Sequence, residues 1–261
     1  MLSLNDPAWR SLQHAYGSAE SIPRLIQQLR TNPTGDLWSE LWLCICHQYS
    51  VYTATYAAVP HILSIARSLP IGRRFEPLHL LGTITAYHEE TALLDDYRAD
   101  YLAMISEAPD LCLDEIAARP KSRESVIYLL SSLAGLSGYT GLARSFGGFA
   151  SDEFSIQCPV CETFLYIWPS NEGYRVYAED PVTQPQAAYQ TVINKNGPPV
   201  SWEIARTDVN EKNSSAWLAS LAHSAGYPDL ALLIHQLGGH SACPSCQTQF
   251  AVHDEIILQA V

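Results

Sequence analysis

From residue 1 to about 145, apolar positions return every three to four residues in one segment after another, the period that places them on one face of a helix. The spacing predicts helices near Ala8–Tyr16, from Ser21-Ile22-Pro23 through Leu29, over Leu37–His47 and over Tyr52–Leu69, then near Glu76–His88, Thr91–Ser106 and Arg123–Leu136. In the fourth of these, Val59, Ile62, Leu63, Ala66 and Leu69 recur at helical spacing. Pro60 predicts a kink or a fresh start there, because its ring removes a donor and crowds the preceding turn. Past residue 160 the period changes. Phe164–Trp168 and Tyr174–Tyr177 are short aromatic and β-branched runs on either side of Ser170-Asn171-Glu172-Gly173, the pattern of a β-hairpin. Pro181–Pro199 reads as a loop with a strand at Tyr189–Ile193. Val200–Ala205 reads as a further short strand, and helices return at Ser214–Ser224 and Pro228–Leu237.

Two internal similarities organise these elements. Ser21-Ile22-Pro23-Arg24-Leu25-Ile26 and Ala58-Val59-Pro60-His61-Ile62-Leu63 share an apolar-Pro-x-apolar-apolar core at an offset of 37, in the range of helical-repeat arrays. Leu133-Ala134, Gly138-Tyr139 and Leu142-Ala143 match Leu221-Ala222, Gly226-Tyr227 and Leu230-Ala231 at an offset of 88. A Gly-Gly pair and then a Cys-Pro-x-Cys turn follow each copy. The expected fold is mainly α: an α-α superhelix over residues 1–145, followed over 146–261 by a duplicated helical hairpin with a small, zinc-ribbon-like β module.

The two turns, Cys158-Pro159-Val160-Cys161 and Cys243-Pro244-Ser245-Cys246, carry the clearest chemistry. A C-x2-C spacing lets two thiolates reach one ion from a tight turn, and two such turns supply the four sulfurs of a closed, structural Zn2+ site. The stretch from Cys161 to Cys243 is far longer than the usual spacing, so the fold must bring the second turn back; two equivalent units side by side would do so. A redox-active pair and a disulfide are the competing readings. The first needs a C-x2-C that opens a helix in a βαβ context, and the second an oxidising compartment. His240 and His253 stand near enough in sequence to replace a sulfur. Cys44, Cys46 and Cys112 fall in apolar stretches, where a thiol behaves as a small buried hydrophobe.

Charge narrows the class of partner. The net charge is −12 with only three lysines, which argues against a nucleic-acid-binding surface spread over the whole molecule. Residues 89–115 hold nine acids, among them Glu89, Glu90, Asp95, Asp96 and Asp100, against the single base Arg98. Such a run is either a solvated helical face or an electrostatic docking surface for a basic protein. No apolar run approaches a membrane span, no secretory signal opens the chain, and a cytoplasmic protein is expected. His88-Glu89-Glu90 is not H-E-x-x-H, since position 92 is alanine. His47, His61 and His79 show no ligand spacing, and no nucleophile-elbow or phosphate-loop motif occurs, so no catalytic residue is assigned.

The stretch from His47 to Leu63, with His47-Gln48, Tyr52-Thr53-Ala54-Thr55 and Ala57-Ala58-Val59-Pro60, resembles a family of bacterial HEAT-like helical-repeat proteins, and Trp38 and Trp42 resemble the segment preceding it. The likeness covers about residues 20–140. The chain departs from that family in carrying Tyr49 where glycine is commoner, and in its cysteine turns. The resemblance implies an α-solenoid that binds protein, and among its relatives are immunity proteins that neutralise bacterial toxins. The expected function is therefore non-enzymatic: tight binding of a basic toxin, with a nuclease as the first target to try. The alternative is a zinc-stabilised scaffold or adaptor.

Overall fold

A computed structural model of the chain describes residues 1–118, 122–171, 173–195 and 214–260. The protein is mainly α, with small antiparallel sheets. It divides into two compact units, Met1–Pro120 with Ser131–Ala143, and Lys121–Leu130 with Arg144–Val261.

The first unit opens on a single 3-10 turn over Pro7–Arg10, where the Asp6 carboxylate accepts the Ala8 N–H at 2.9 Å. A small hairpin follows, β1 (Gln13–His14) paired with β2 (Gly17–Ser18). The helix expected over Ala8–Tyr16 is absent. Gly17 takes φ 117°, open to glycine alone, and turns the chain back, while only Trp9 and Leu12 of the segment are buried hydrophobes. Then come α1 (Ile22–Thr31), α2 (Gly35–Ile45), α3 (Thr53–Ser68), α4 (Phe75–Ala86) and α5 (Asp95–Ala117). The central element is α3, which packs against α1, α4 and α5. It runs unbroken through Pro60, contrary to expectation. The proline costs about 3 kcal/mol in a helix interior. Burying Val59, Ile62, Leu63 and Ile65 contributes roughly 1.5–3 kcal/mol each, so continuity wins. Likewise α5 continues past Ser106 and through Pro109, because Ala108, Cys112 and Ile116 extend its buried face.

Polar side chains of the His47–Leu63 stretch fix α3 in place. Thr55 Oγ1 donates to the Ile45 carbonyl at 2.5 Å and accepts the Tyr52 N–H at 2.8 Å. The Tyr56 hydroxyl meets His88 Nδ1 at 2.7 Å and accepts the Glu89 N–H at 3.0 Å. His61 accepts from Arg30 Nη2 at 2.9 Å and donates from Nε2 to the Leu2 carbonyl at 2.8 Å. Burial holds its pKa below the usual histidine value, which keeps Nδ1 available as an acceptor. Between α2 and α3, Gln48 (φ 48°) and Tyr49 (φ 65°) both sit in the left-handed region. That conformation costs a non-glycine residue roughly 1–2 kcal/mol. Tyr49 stacks on Tyr87 with centroids 4.5 Å apart and planes 15° from parallel. The stack is worth about 0.5–1.5 kcal/mol and does not repay two such residues.

The helices α6 (Arg123–Leu136) and α7 (Thr140–Ser145) span the division between the units. Within the first unit, Gly82 on α4 lies so close to α6 that a Cβ there would stand 2.3 Å from Ser132 Cα.

In the second unit α8 (Gly147–Ser151) leads into an antiparallel sheet of β3 (Phe154–Gln157), β4 (Phe164–Ser170), β5 (Gly173–Tyr177) and β6 (Tyr189–Thr191), in that order. Ile156, Leu165, Ile167, Tyr174 and Val176 are its buried face. The strand expected at Val200–Ala205 lies outside the described residues. After them come α9 (Ser214–Ser224), α10 (Pro228–Leu237), the paired strands β7 (His240–Ala242) and β8 (Gln249–Ala251), and α11 (Val252–Gln259), which the sequence reading did not anticipate. An antiparallel bridge from Ile193 to His240 joins β7 to the end of β6. The turn between α9 and α10 repeats the one between α6 and α7. Gly226 and Gly138 take φ 96° and 89°, and the following tyrosines donate to Ala222 and Ala134 at 3.0 and 2.9 Å, a helix C-cap built twice.

Candidate metal centre

Each cysteine turn is the loop of a β-hairpin, the first between β3 and β4, the second between β7 and β8. The two are built alike, residue for residue. Cys158 and Cys243 each donate their backbone N–H to a threonine carbonyl, Thr163 or Thr248, at 2.9 Å. Their own carbonyls accept from Glu162 and Gln247 at 3.0 and 2.9 Å, and those two residues take φ 59° and 63° to close the loop. Cys161 Sγ lies 3.2 Å from Thr163 Oγ1, and Cys246 Sγ lies 3.3 Å from Thr248 Oγ1. The shared unit is thus Cys-Pro-x-Cys-x-Thr, once from Cys158 to Thr163 and again from Cys243 to Thr248. Sequence reading singled out the cysteines and missed the threonines, although the same offset marks both.

The hairpins bring all four sulfurs together. The ligand atoms of Cys158, Cys161, Cys243 and Cys246 lie within 4.8 Å of one another, and among the described residues no other group of three or more histidine, cysteine or acidic side chains does so. Contacts cross between the turns, with Cys158 Sγ to Cys246 Sγ and Cys161 Sγ to Cys243 Sγ both 3.7 Å. Four sulfurs bound tetrahedrally to one zinc at about 2.3 Å stand about 3.8 Å apart. A disulfide would hold two of them at about 2.05 Å. Cys158 and Cys243 are buried and Cys161 and Cys246 exposed, so each turn offers one inner and one outer sulfur. Hydrogen bonds from Thr163 hold the Cys161 thiol down to about 6, and Thr248 lowers Cys246 in the same way, while burial pushes Cys158 up to about 11. The Cys161 sulfur is therefore thiolate-forming near neutrality, and a cation would favour the deprotonated form of Cys158.

His240 and His253 are not part of this group. His253 Nε2 is hydrogen-bonded to Ser215 Oγ, tying the first turn of α9 to α11, and burial lowers its pKa, which favours the neutral ring. The contact borders a pocket of about 250 Å³ that Asn194 and His235 also line. Asp254 lies 3.6 Å from His253 Nδ1 with its side chain 79% exposed, beyond hydrogen-bonding distance and in solvent. Ser215 and His253 stand too far apart along the chain to leave a spacing signal. Of the remaining cysteines, Cys46 and Cys112 are buried and burial raises both thiols, while Cys44 is half-buried.

The acidic stretch is less uniform than its sequence suggests. Glu90 pairs with Arg98 and accepts from His88 Nε2 at 3.2 Å, and Asp95 lies 3.6 Å from Arg98 Nε. Asp100 pairs with the Met1 amine at 2.6 Å, Glu107 pairs with Arg67, and buried Glu115 accepts the Gly72 and Arg74 N–H groups at 2.7 and 3.1 Å. Asp95 and Asp96 also occupy the first turn of α5, where negative charge stabilises a helix. Glu89 and Asp96 have no ion-pair partner among the described residues.

No family model, curated protein or solved structure matches the chain. Among the described residues no helix is long and apolar enough to cross a membrane.

Proposed function

We propose that the protein is a non-enzymatic, cytoplasmic binding protein whose second unit is clamped by a structural Zn2+ on Cys158, Cys161, Cys243 and Cys246, and that it acts as an immunity protein neutralising a basic bacterial toxin by tight association. The observation that carries the metal reading is the 3.7 Å spacing of sulfurs contributed by two identically built hairpins. Four sulfurs leave a tetrahedral ion no open position, which makes the site structural. The binding reading rests on the resemblance of the His47–Leu63 stretch to HEAT-like repeat proteins, whose stacked helices present an extended concave surface to a partner. The net charge of −12 favours a basic target, and many toxins that act on nucleic acids are basic because they must neutralise phosphates.

Co-expression tests it. The chain is expected to bind the product of the adjacent gene and to restore growth of cells producing it. A neighbour that is neither bound nor relieved of toxicity removes the immunity reading. A stable multi-protein complex without a toxin would support the alternative, a zinc-stabilised scaffold or adaptor.

A further inference from the structure

Resting on the reading of a basic protein partner, we infer that an exposed aromatic cluster on the first unit, Tyr16, His47, Tyr49 and Tyr87, with Glu89 two residues beyond Tyr87 in the chain, is where that partner docks, and that it takes an arginine-rich segment. The cluster is assembled by three elements. The Ala15 N–H donates to the Cys44 carbonyl at 2.9 Å and fixes the tip of the β1–β2 hairpin on the end of α2. Tyr16 there meets His47 edge-on, 5.4 Å between centroids, with its hydroxyl 3.2 Å from Nδ1. Two residues on, Tyr49 stacks against Tyr87 at the end of α4.

Tyr16 is 64% and Tyr49 56% exposed. Folding alone gives no reason to hold large rings in water at fixed angles. It gives less reason to hold Tyr49 at φ 65° after Gln48 at φ 48°. Strain of this kind, kept where burial does not repay it, belongs to surfaces organised for a ligand. Exposed, preorganised tyrosines are also the residues that dominate protein interfaces.

The chemistry of the rim selects the occupant. Glu89 follows Tyr87 by two residues and has no ion-pair partner among the described residues, and its neighbour Glu90 is joined through Arg98 to Asp95. An arginine guanidinium lies flat on a tyrosine face and offers its edge to a carboxylate in the same plane, which an ammonium cannot do. The internal pairing of Glu90, Asp95 and Asp100 moves the centre of the contact from α5 to the tyrosines.

Fluorescence anisotropy of labelled octa-arginine and octa-lysine peptides with the full chain is the test. Octa-arginine is expected to bind more tightly by about fivefold or more, and Tyr87→Ser and Tyr49→Gly are each expected to bring the ratio close to one. Because glycine accepts a left-handed backbone without strain, Tyr49→Gly should lose the preference while its melting temperature holds or rises. A merely structural stack would instead lower it. Equal affinity of the parent chain for the two peptides, retention of the preference in both variants, or a lowered melting temperature in Tyr49→Gly would each overturn the inference. The preference without relief of any neighbouring toxin would leave this site standing and remove the immunity reading. Relief of toxicity without the preference would do the reverse.

Discussion

In the first unit, buried polar groups are answered one at a time by side chains of ordinary helices, such as Thr55 on the Ile45 carbonyl or Glu115 on the Gly72 and Arg74 amides, and the rest is apolar packing around α3. The second unit interrupts its helices with short strands, and its two hairpin loops meet at four thiols held sulfur against sulfur. The first arrangement spreads stability over dozens of contacts, so its weak points are steric. The second adds to its own apolar core a cluster of four thiols that could hold a metal, so the weak point proposed for it is chemical. A structural metal supplies folding energy outright, on the order of 10 kcal/mol in small zinc-binding peptides.

The largest effect should come from that single place. Protein purified without added metal is expected to contain one zinc per chain. Cys158→Ser, or prolonged chelation, should cost several kcal/mol and open residues 150–261 to protease while α1–α5 keep their protection. Equal resistance of that region in the variant would end the distinction between the units. Next in size is a steric insult to the first unit. Gly82→Ala places a methyl group 2.3 Å from Ser132 Cα, both parts backbone-bound, and should destabilise the first unit by about 3 kcal/mol with zinc content unchanged. Urea unfolding with metal analysis of the same samples separates the two outcomes.

The smallest effect is a pH dependence. His79 lies between the rings of Trp42 and Phe75, centroids 4.8 and 5.4 Å away, and burial depresses its pKa from 6.5 to about 4. The unfolded chain therefore takes up this proton first. The stabilisation is whole above pH 6.5 and is lost as pH falls towards 4, by on the order of 2 kcal/mol. Protection factors in α2 and α4, corrected for the intrinsic exchange rate at each pH, should fall between pH 7 and 5 in the parent and much less in His79→Phe; an equal fall in both would show that His79 is not the group responsible.

What the sequence made legible follows from the range of each signal. Helical periodicity and the Gly-Tyr turns are local, and so are the cysteine turns, whose matching copies also implied that the fold unites them. The errors lie where distant packing decides. Pro60 reads as a break because its cost is local, whereas the buried face that carries α3 through it packs on neighbouring helices, and α5 runs on through Pro109 in the same way. The segment from Ala8 to Tyr16 has helix-like spacing, and its hairpin depends on Gly17 and on a bond to Cys44. The first copy of the duplicated unit is slightly longer than the second between its Leu-Ala pair and its knuckle. The knuckles therefore repeat at a shorter offset than the helices, and the paired threonines repeat with the knuckles. Ser215 and His253 meet only in three dimensions.

The separation of the two knuckles along the chain has a consequence for how the molecule would respond to a cut. Joining Cys161 to Cys243 closes a long loop whose chain entropy is worth on the order of 4 kcal/mol. A polypeptide closed in this way no longer depends on its own continuity between the joined points. A nick between Lys195 and Ser214 would leave two fragments, each keeping one cysteine hairpin and two of the four sulfurs, and a bound ion would add to the packing of α11 on β3 and the Ile193–His240 bridge a tie that a chelator removes.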